Sequence, residues 1–257
     1  MIFKLSTLSL VGIVGLTTFV GHAQAAPPDL IFDCSRAPEV CTNMCWAVRC
    51  ANPVFPVALT FDWPDKAKED ARRKSAGCQK GNKCNKGKTG PGHRGTGYES
   101  CDEYPFASTK EADRGHQVSR CVPGKENSYQ GGKLSGLQKR WKKEGKTGFK
   151  IGFGNPGAKG VKFCQNQACK NDGWQVQDGK ISKRDEQPLF KYYRTRADMV
   201  FASLEPVSIP SNFTREFREA DKVDETFYVW TEVDEDGEQR LIQDTVVEEL
   251  AWDHFLN

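Results

Sequence analysis

The chain is 257 residues long, carries a net charge of +3, and contains 37% hydrophobic residues, 28% charged residues and ten cysteines. Behind a leader of about 25 residues, the remainder is long enough to bury one sizeable core or two small ones. Composition argues against collagen, a coiled coil or full disorder, and an even cysteine count behind an export signal reads as a disulfide framework before it reads as metal ligands or catalytic thiols.

Lys4, the apolar run Leu8–Val20 and Ala23-Gln24-Ala25 form a signal peptide over residues 1–25, cleaved after Ala25. No later apolar run reaches the roughly 20 residues of a membrane span, so the expected product is soluble, secreted and extracellular, with no membrane partner. Residues 26–54 hold Cys34, Cys41, Cys45 and Cys50 among Pro and small residues, and read as a cysteine-rich extension without zinc spacing. Phe55 to Trp63 reads as a strand. Pro64 then opens a helix through Arg73, with Asp62 or Asp65 near its positive end and Gly77 past its last turn.

Gly77 to Gly97, rich in Gly, Lys and Asn, reads as a long loop. Its two phosphate-loop lookalikes, Gly81 to Thr89 and Gly90 to Gly95, lack the flanking strand and helix that such a motif needs. Strands are expected at 98–104 and 117–122. A helix is expected over 130–144, where Leu134, Leu137 and Trp141 recur at helical spacing. A further strand is expected at 149–153, and Cys164 and Cys169 bracket a short loop. Residues 181–196, with the dibasic pair Lys183-Arg184, read as a linker, and 226–233 with 239–247 read as a hairpin around Asp234-Glu235-Asp236-Gly237. Asn212-Phe213-Thr214 is a glycosylation sequon at Asn212. All ten cysteines, including Cys78, Cys84, Cys101 and Cys121, are expected to be oxidised, in pairings the sequence leaves open.

Charge is segregated. Residues 65–196 hold 30 Lys and Arg against 14 Asp and Glu, a net +16, whereas residues 197–257 hold 4 against 16, a net −12. A basic field of that size attracts a polyanion, nucleic acid foremost. The acidic segment could brace the basic region or lie across its binding face.

The most informative stretch contains Cys101-Asp102-Glu103-Tyr104-Pro105-Phe106-Ala107, then Arg120-Cys121-Val122-Pro123, then Glu126-Asn127-Ser128-Tyr129-Gln130-Gly131-Gly132. It resembles the NucA/NucB family of secreted deoxyribonucleases, marked by a Cys-Asp-Glu-Tyr/Trp-Pro block, a Val-Pro turn and a Glu/Asp-Asn block. The resemblance implies a ββα-metal endonuclease core, in keeping with the strand, strand and helix read above. It also implies DNA cleavage by one divalent cation and one general base.

Those residue types suit the chemistry: a base deprotonates water, and a hard cation, Mg²⁺ or Mn²⁺, bound by carboxylate, amide and water oxygens, stabilises charge on phosphate. Asp102, beside Glu103, is the expected base and Asn127 the expected metal ligand. Asp113-Arg114-Gly115-His116 resembles the signature of the DNA/RNA non-specific endonucleases and offers His116 as a rival base, but only 11 residues separate it from Asn127. No carboxylate lies between Asn127 and Glu144, so Glu126, Gln130 or water must complete the metal shell. Arg120, Lys125 and Lys133 are candidates for phosphate contacts.

The sequence thus reads as a secreted, monomeric, α+β endonuclease. A basic nuclease domain spans 55–180 and an acidic segment 197–257; DNA is the substrate, RNA is not distinguished from it, and no protein partner is expected. Two rivals are a non-catalytic polyanion-binding protein and a nuclease toxin or effector inhibited by its acidic segment.

Overall fold

The computed structural model describes residues 26–183, 188–215 and 242–251. The signal peptide, Arg184 of the dibasic pair and the turn at 234–237 lie outside the described residues. The architecture is mixed α+β, with two sheets and three α-helices among the described residues.

The residues read as a cysteine-rich extension form β1 (Leu30–Asp33) and α1 (Pro38–Arg49), and α1 lies at the centre of the core. Pro38 presets the first helical turn, and every residue from Val40 to Arg49 is buried. Polar groups on so buried a helix need internal partners. Thr42 Oγ1 accepts from the Lys162 amide at 2.9 Å, and the Arg49 guanidinium donates to the carbonyls of Phe163 and Gln167. Trp46 meets Phe163 edge-on, with ring centroids 4.7 Å apart. Cys34–Cys41 pins the start of α1, while Cys45–Cys164 and Cys50–Cys169 bolt it to a distant loop. Cys164 and Cys169 therefore do not close the loop between them.

A short strand, β2 (Ala58–Thr60), leads to α2 (Lys66–Ser75), capped as its sequence implies: Asp65 Oδ1 accepts from the Lys68 amide at 2.8 Å. Arg72 on α2 is 3% exposed and spans two carboxylates, Asp62 at 2.7 and 2.9 Å and Asp113 at 2.7 and 2.8 Å, while also donating to the Ala107 carbonyl. The acid of the Asp-Arg-Gly-His stretch is thus a partner of α2.

β3 (Ser100–Tyr104) and β4 (Val118–Val122) pair antiparallel, with Asp102 opposite Arg120 and Glu103 opposite Ser119. Cys101 stands opposite Cys121, yet the two do not bridge each other. Cys78–Cys101 and Cys84–Cys121 instead fasten the 78–84 loop to the hairpin, and all ten cysteines are oxidised. α3 (Gly124–Glu144) starts directly after Pro123, before the periodic stretch that begins at Gln130, and stops at Gly145 in the left-handed region at φ 67°. The order strand, strand, helix expected for 98–144 is present.

β5 (Gly148–Gly154) pairs with β1 in parallel and with β2 antiparallel. Two short strands, β6 (Val176–Gln177) and β7 (Lys180–Ile181), complete a small sheet in the order β3-β4-β6-β7. The last four are β8 (Lys191–Thr195), β9 (Val200–Ser203), β10 (Ser211–Arg215) and β11 (Ile242–Leu250), and the large sheet runs β1-β5-β9-β8-β11-β10. Residues 191–195, read as linker, are thus a strand. The described part of the acidic segment is woven into the sheet, with β11 between β8 and β10. It also pairs with cations: Lys191 with Glu249 at 3.0 Å, and Lys150 with Glu205. Asn212 is exposed on β10, its Oδ1 accepting from Thr245 Oγ1 at 2.7 Å. No helix among the described residues is long and apolar enough to cross a membrane.

Two outcomes test this account. A chain ending at Lys183 loses β8 to β11 and uncovers Phe153, which packs on Phe190, so it is expected to aggregate; a soluble, faster truncated protein would make the acidic segment an inhibitor. Arg72→Ala takes two of the three cationic hydrogen bonds from half-buried Asp62, leaving Lys68 Nζ at 2.8 Å, and should cost about 1 to 3 kcal/mol by denaturant unfolding. The Arg72 guanidinium holds the Asp62 carboxyl down to about 2. A depressed carboxyl stabilises above its unfolded value and loses that stabilisation as pH falls through its folded value, so Arg72→Ala should flatten the acid limb between about pH 4 and pH 2.

Candidate functional site

Side chains alternate along a strand, so neighbours on β3 face opposite ways. Asp102 and Tyr104 are buried, at 1% and 0% exposure, and Asp102 turns toward α1. Cys101 and Glu103 instead line a groove of about 510 Å³. Its floor is Ser100, Cys101 and Glu103. One wall is the face of α3 bearing Asn127, Ser128, Gln130, Gly131 and Ser135, and the other is Arg73 with Cys78, Asn82 and Asn85 from the loop after α2.

Glu103 is the carboxylate of β3 that reaches this groove, with a side chain 16% exposed and Arg73 Nε 3.9 Å away. Burial raises its pKa, while Arg73 and the backbone amides of Ala107 and Glu103 itself pull it back. Asn127 Nδ2 donates to Ser100 Oγ at 2.8 Å and to the Cys101 carbonyl at 3.0 Å. With its nitrogen so anchored, Oδ1 has no donor among the described residues.

Asp102 lies behind the groove. Asn43 Nδ2 of α1 donates to its Oδ2 at 2.9 Å and to its carbonyl at 3.2 Å. Burial drives its carboxyl well above the usual range, Glu103 and Glu126 add to that, and Asn43 and Gln130 oppose it. Asp102 Oδ1, Asn43 Oδ1 and Gln130 Nε2 are buried without hydrogen-bond partners among the described residues. Gln130 touches both compartments, lining the groove while lying against Asp102.

The other sequence candidates go elsewhere. Glu126 turns to α1, where Oε2 accepts from the amides of Glu39 at 2.8 Å and Val40 at 3.4 Å. Arg120 is 1% exposed and spends its guanidinium on Glu39 at 2.7 Å and on both oxygens of Asp172 at 2.9 Å, so its donors are taken up inside the protein rather than offered to phosphate. Burial pushes Glu39 upward, but the hydrogen bonds and charges of Arg94 and Arg120 outweigh it and leave the carboxyl lowered. His116 is exposed in the connection between β3 and β4, with Nδ1 2.8 Å from Asp178 Oδ2, and is not among the groove residues. Lys125 is exposed on the first turn of α3, and Lys133 lies with Nζ 5.8 Å from the Tyr129 ring centre.

The groove also holds residues that the sequence did not single out: Arg73, Asn82, Asn85, Ser100 and Ser128. A Cys78–Cys101 bridge would have brought the loop to β3, but the pairing was not legible. Among the described residues no three His, Cys, Asp or Glu side chains cluster to hold a metal. The groove offers carboxylate and amide oxygens, Glu99, Glu103 and Asn127 among them, and no His or thiolate, a set that fits a hard cation that keeps several waters, such as Mg²⁺, rather than tetrahedral Zn²⁺.

A basic, disulfide-clamped α+β protein with a carboxylate and an amide oxygen on one polar groove belongs among candidate phosphodiesterases. Residues 44–151 match the family model Deoxyribonuclease NucA/NucB, a span that contains every residue of the groove. That segment of the chain is similar to the NucA/NucB deoxyribonucleases. No curated protein and no solved structure gives a significant match.

The burial of Asp102 has a measurable consequence. Replacing a buried, poorly partnered carboxyl with its neutral isostere removes a desolvation cost, so Asp102→Asn should melt no lower than the parent at neutral pH. A melting temperature well below the parent would show that the charged form is what the fold requires.

Proposed function

We propose that this protein is a secreted, metal-dependent endodeoxyribonuclease with little sequence specificity, using Glu103 as general base and Asn127 as protein ligand to one Mg²⁺ or Mn²⁺. The observation that carries the reading is that Glu103 and Asn127 line one groove within the segment matching the deoxyribonuclease family. Five disulfides support an oxidising, extracellular destination.

In this mechanism Glu103 accepts a proton from the attacking water, a task favoured by its raised pKa. Asn127, its nitrogen fixed by Ser100 and Cys101, presents Oδ1 to the cation. The cation, when bound, supplies Lewis-acid stabilisation of charge on the phosphate and leaving oxygen. Asp102 supports from behind, positioning Gln130 and, through Asn43, α1. Low specificity is expected where cations meet phosphates, because those contacts carry no sequence information.

Glu103→Gln should lower plasmid nicking by about 10² to 10⁴-fold while DNA retention in chelator persists. Cleavage by the parent should fail as pH drops through a value above the ordinary glutamate 4.5, because the base must be ionised. An active Glu103→Gln beside an inactive, well-folded Asp102→Asn would move the base to Asp102. DNA binding without nicking in Mg²⁺ or Mn²⁺ would favour the polyanion-binding reading.

A further inference from the structure

The loop from Gln79 to Lys88, which the sequence offers only as a Gly, Lys and Asn-rich connection, forms a wall of the groove through Asn82 and Asn85. It is not held by a hydrophobic face of its own. Cys78–Cys101 and Cys84–Cys121 clamp it across both strands of the hairpin, and half-buried Lys83 donates from Nζ to Ser119 Oγ at 3.0 Å. Asn82 Oδ1 accepts from the Cys84 amide at 2.9 Å and tightens the turn between the clamps.

While Lys83 is drawn inward, Lys80, Lys86 and Lys88 are exposed, and none of the three has a carboxylate partner among the described residues. Many other cations of the basic region are spent internally: Arg72 on Asp62 and Asp113, Arg94 on Glu39, Arg120 on Glu39 and Asp172, Lys162 on Asp172. The loop therefore carries three exposed lysines within a few residues of Asn82 and Asn85, which line the groove that holds Glu103 and Asn127, on a support whose ordering is largely complete before any ligand arrives.

We propose that this clamped loop is the phosphate-binding wall of the groove, with Lys80, Lys86 and Lys88 holding the backbone of the DNA that is cleaved by the water Glu103 activates. The proposal rests on the nuclease reading for the identity of the polyanion, but its readout is binding rather than cleavage.

The test uses the full-length protein carrying Glu103→Gln, in chelator, with a short labelled DNA duplex as probe and salt varied from about 50 to about 200 mM. Lys80→Gln/Lys86→Gln/Lys88→Gln, on the loop whose Asn82 and Asn85 line the groove, is compared with a control of equal charge loss, Lys159→Gln/Lys170→Gln/Lys180→Gln, on segments that contribute no residue to the groove. The loop triple should weaken binding at least tenfold and reduce the slope of log affinity against log salt by about 2 to 3, as expected for three lost phosphate contacts, with the control close to the parent. Equal slopes in the parent and the loop triple, or an equal loss in the control, would overturn the proposal. So would a parent that retains no DNA at all. A Glu103→Gln protein that still nicks plasmid in metal while showing the loop effect would sink the base assignment and leave the loop standing.

Discussion

The carboxylate of Glu126, set on the first turn of α3, closes the N-terminus of α1, and the placement of the site depends on that contact. Ala37 offers α1 no capping side chain, so the amides of Glu39 and Val40 would otherwise be left without acceptors in a nearly closed environment. An anionic acceptor at the positive end of a helix satisfies those amides and complements the helix dipole. Two hydrogen bonds to one carboxylate oxygen thus join α1 to α3. Because Asn127 follows Glu126 directly, the same turn that caps α1 carries Asn127 to the edge of β3, where its nitrogen is held by Ser100 and Cys101.

The pleat of β3 then divides two adjacent carboxylates between two environments. Asp102 is pressed against Asn43 in the core, and Glu103 is left on the groove. Both are raised by burial, but Glu103 is the one with access to solvent and to a ligand. The partition is a result of strand geometry rather than of residue chemistry, since a one-residue slip in register would exchange the two.

Charge is sorted in a similar way. The region of +16 is not a uniform basic surface, because Arg72 and Arg120 are consumed within the fold, and Glu205 and Glu249 of the acidic segment take up Lys150 and Lys191. What remains for a polyanion is the unneutralised remainder, and the disulfides decide where part of it lies. A loop with no core of its own is given a fixed position by two bridges to the hairpin.

Local signals sufficed for features whose causes are local. The Asp65 cap of α2, the strands at β3, β4 and β5, the body of α3 and the oxidation of every cysteine could be read directly, and the Cys-Asp-Glu-Tyr-Pro and Glu-Asn blocks pointed to the deoxyribonuclease family whose model matches the segment that contains them. α1 escaped because a helix buried on all sides shows no polar stripe, and its cysteines and prolines suggested an irregular extension. The first turn of α3 escaped because Ser128, Gly131 and Gly132 are poor helix formers, which the contacts of Glu126 and Asn127 override. Arg120 looked like a surface cation until the fold supplied Glu39 and Asp172 from far along the chain. By itself, the sequence determined the charge segregation, the oxidation of the cysteines and the similarity of one segment to a deoxyribonuclease family. Only the tertiary structure decided which carboxylate faces the groove, which cations remain outside and which cysteines pair, because each depends on contacts between residues distant in the chain.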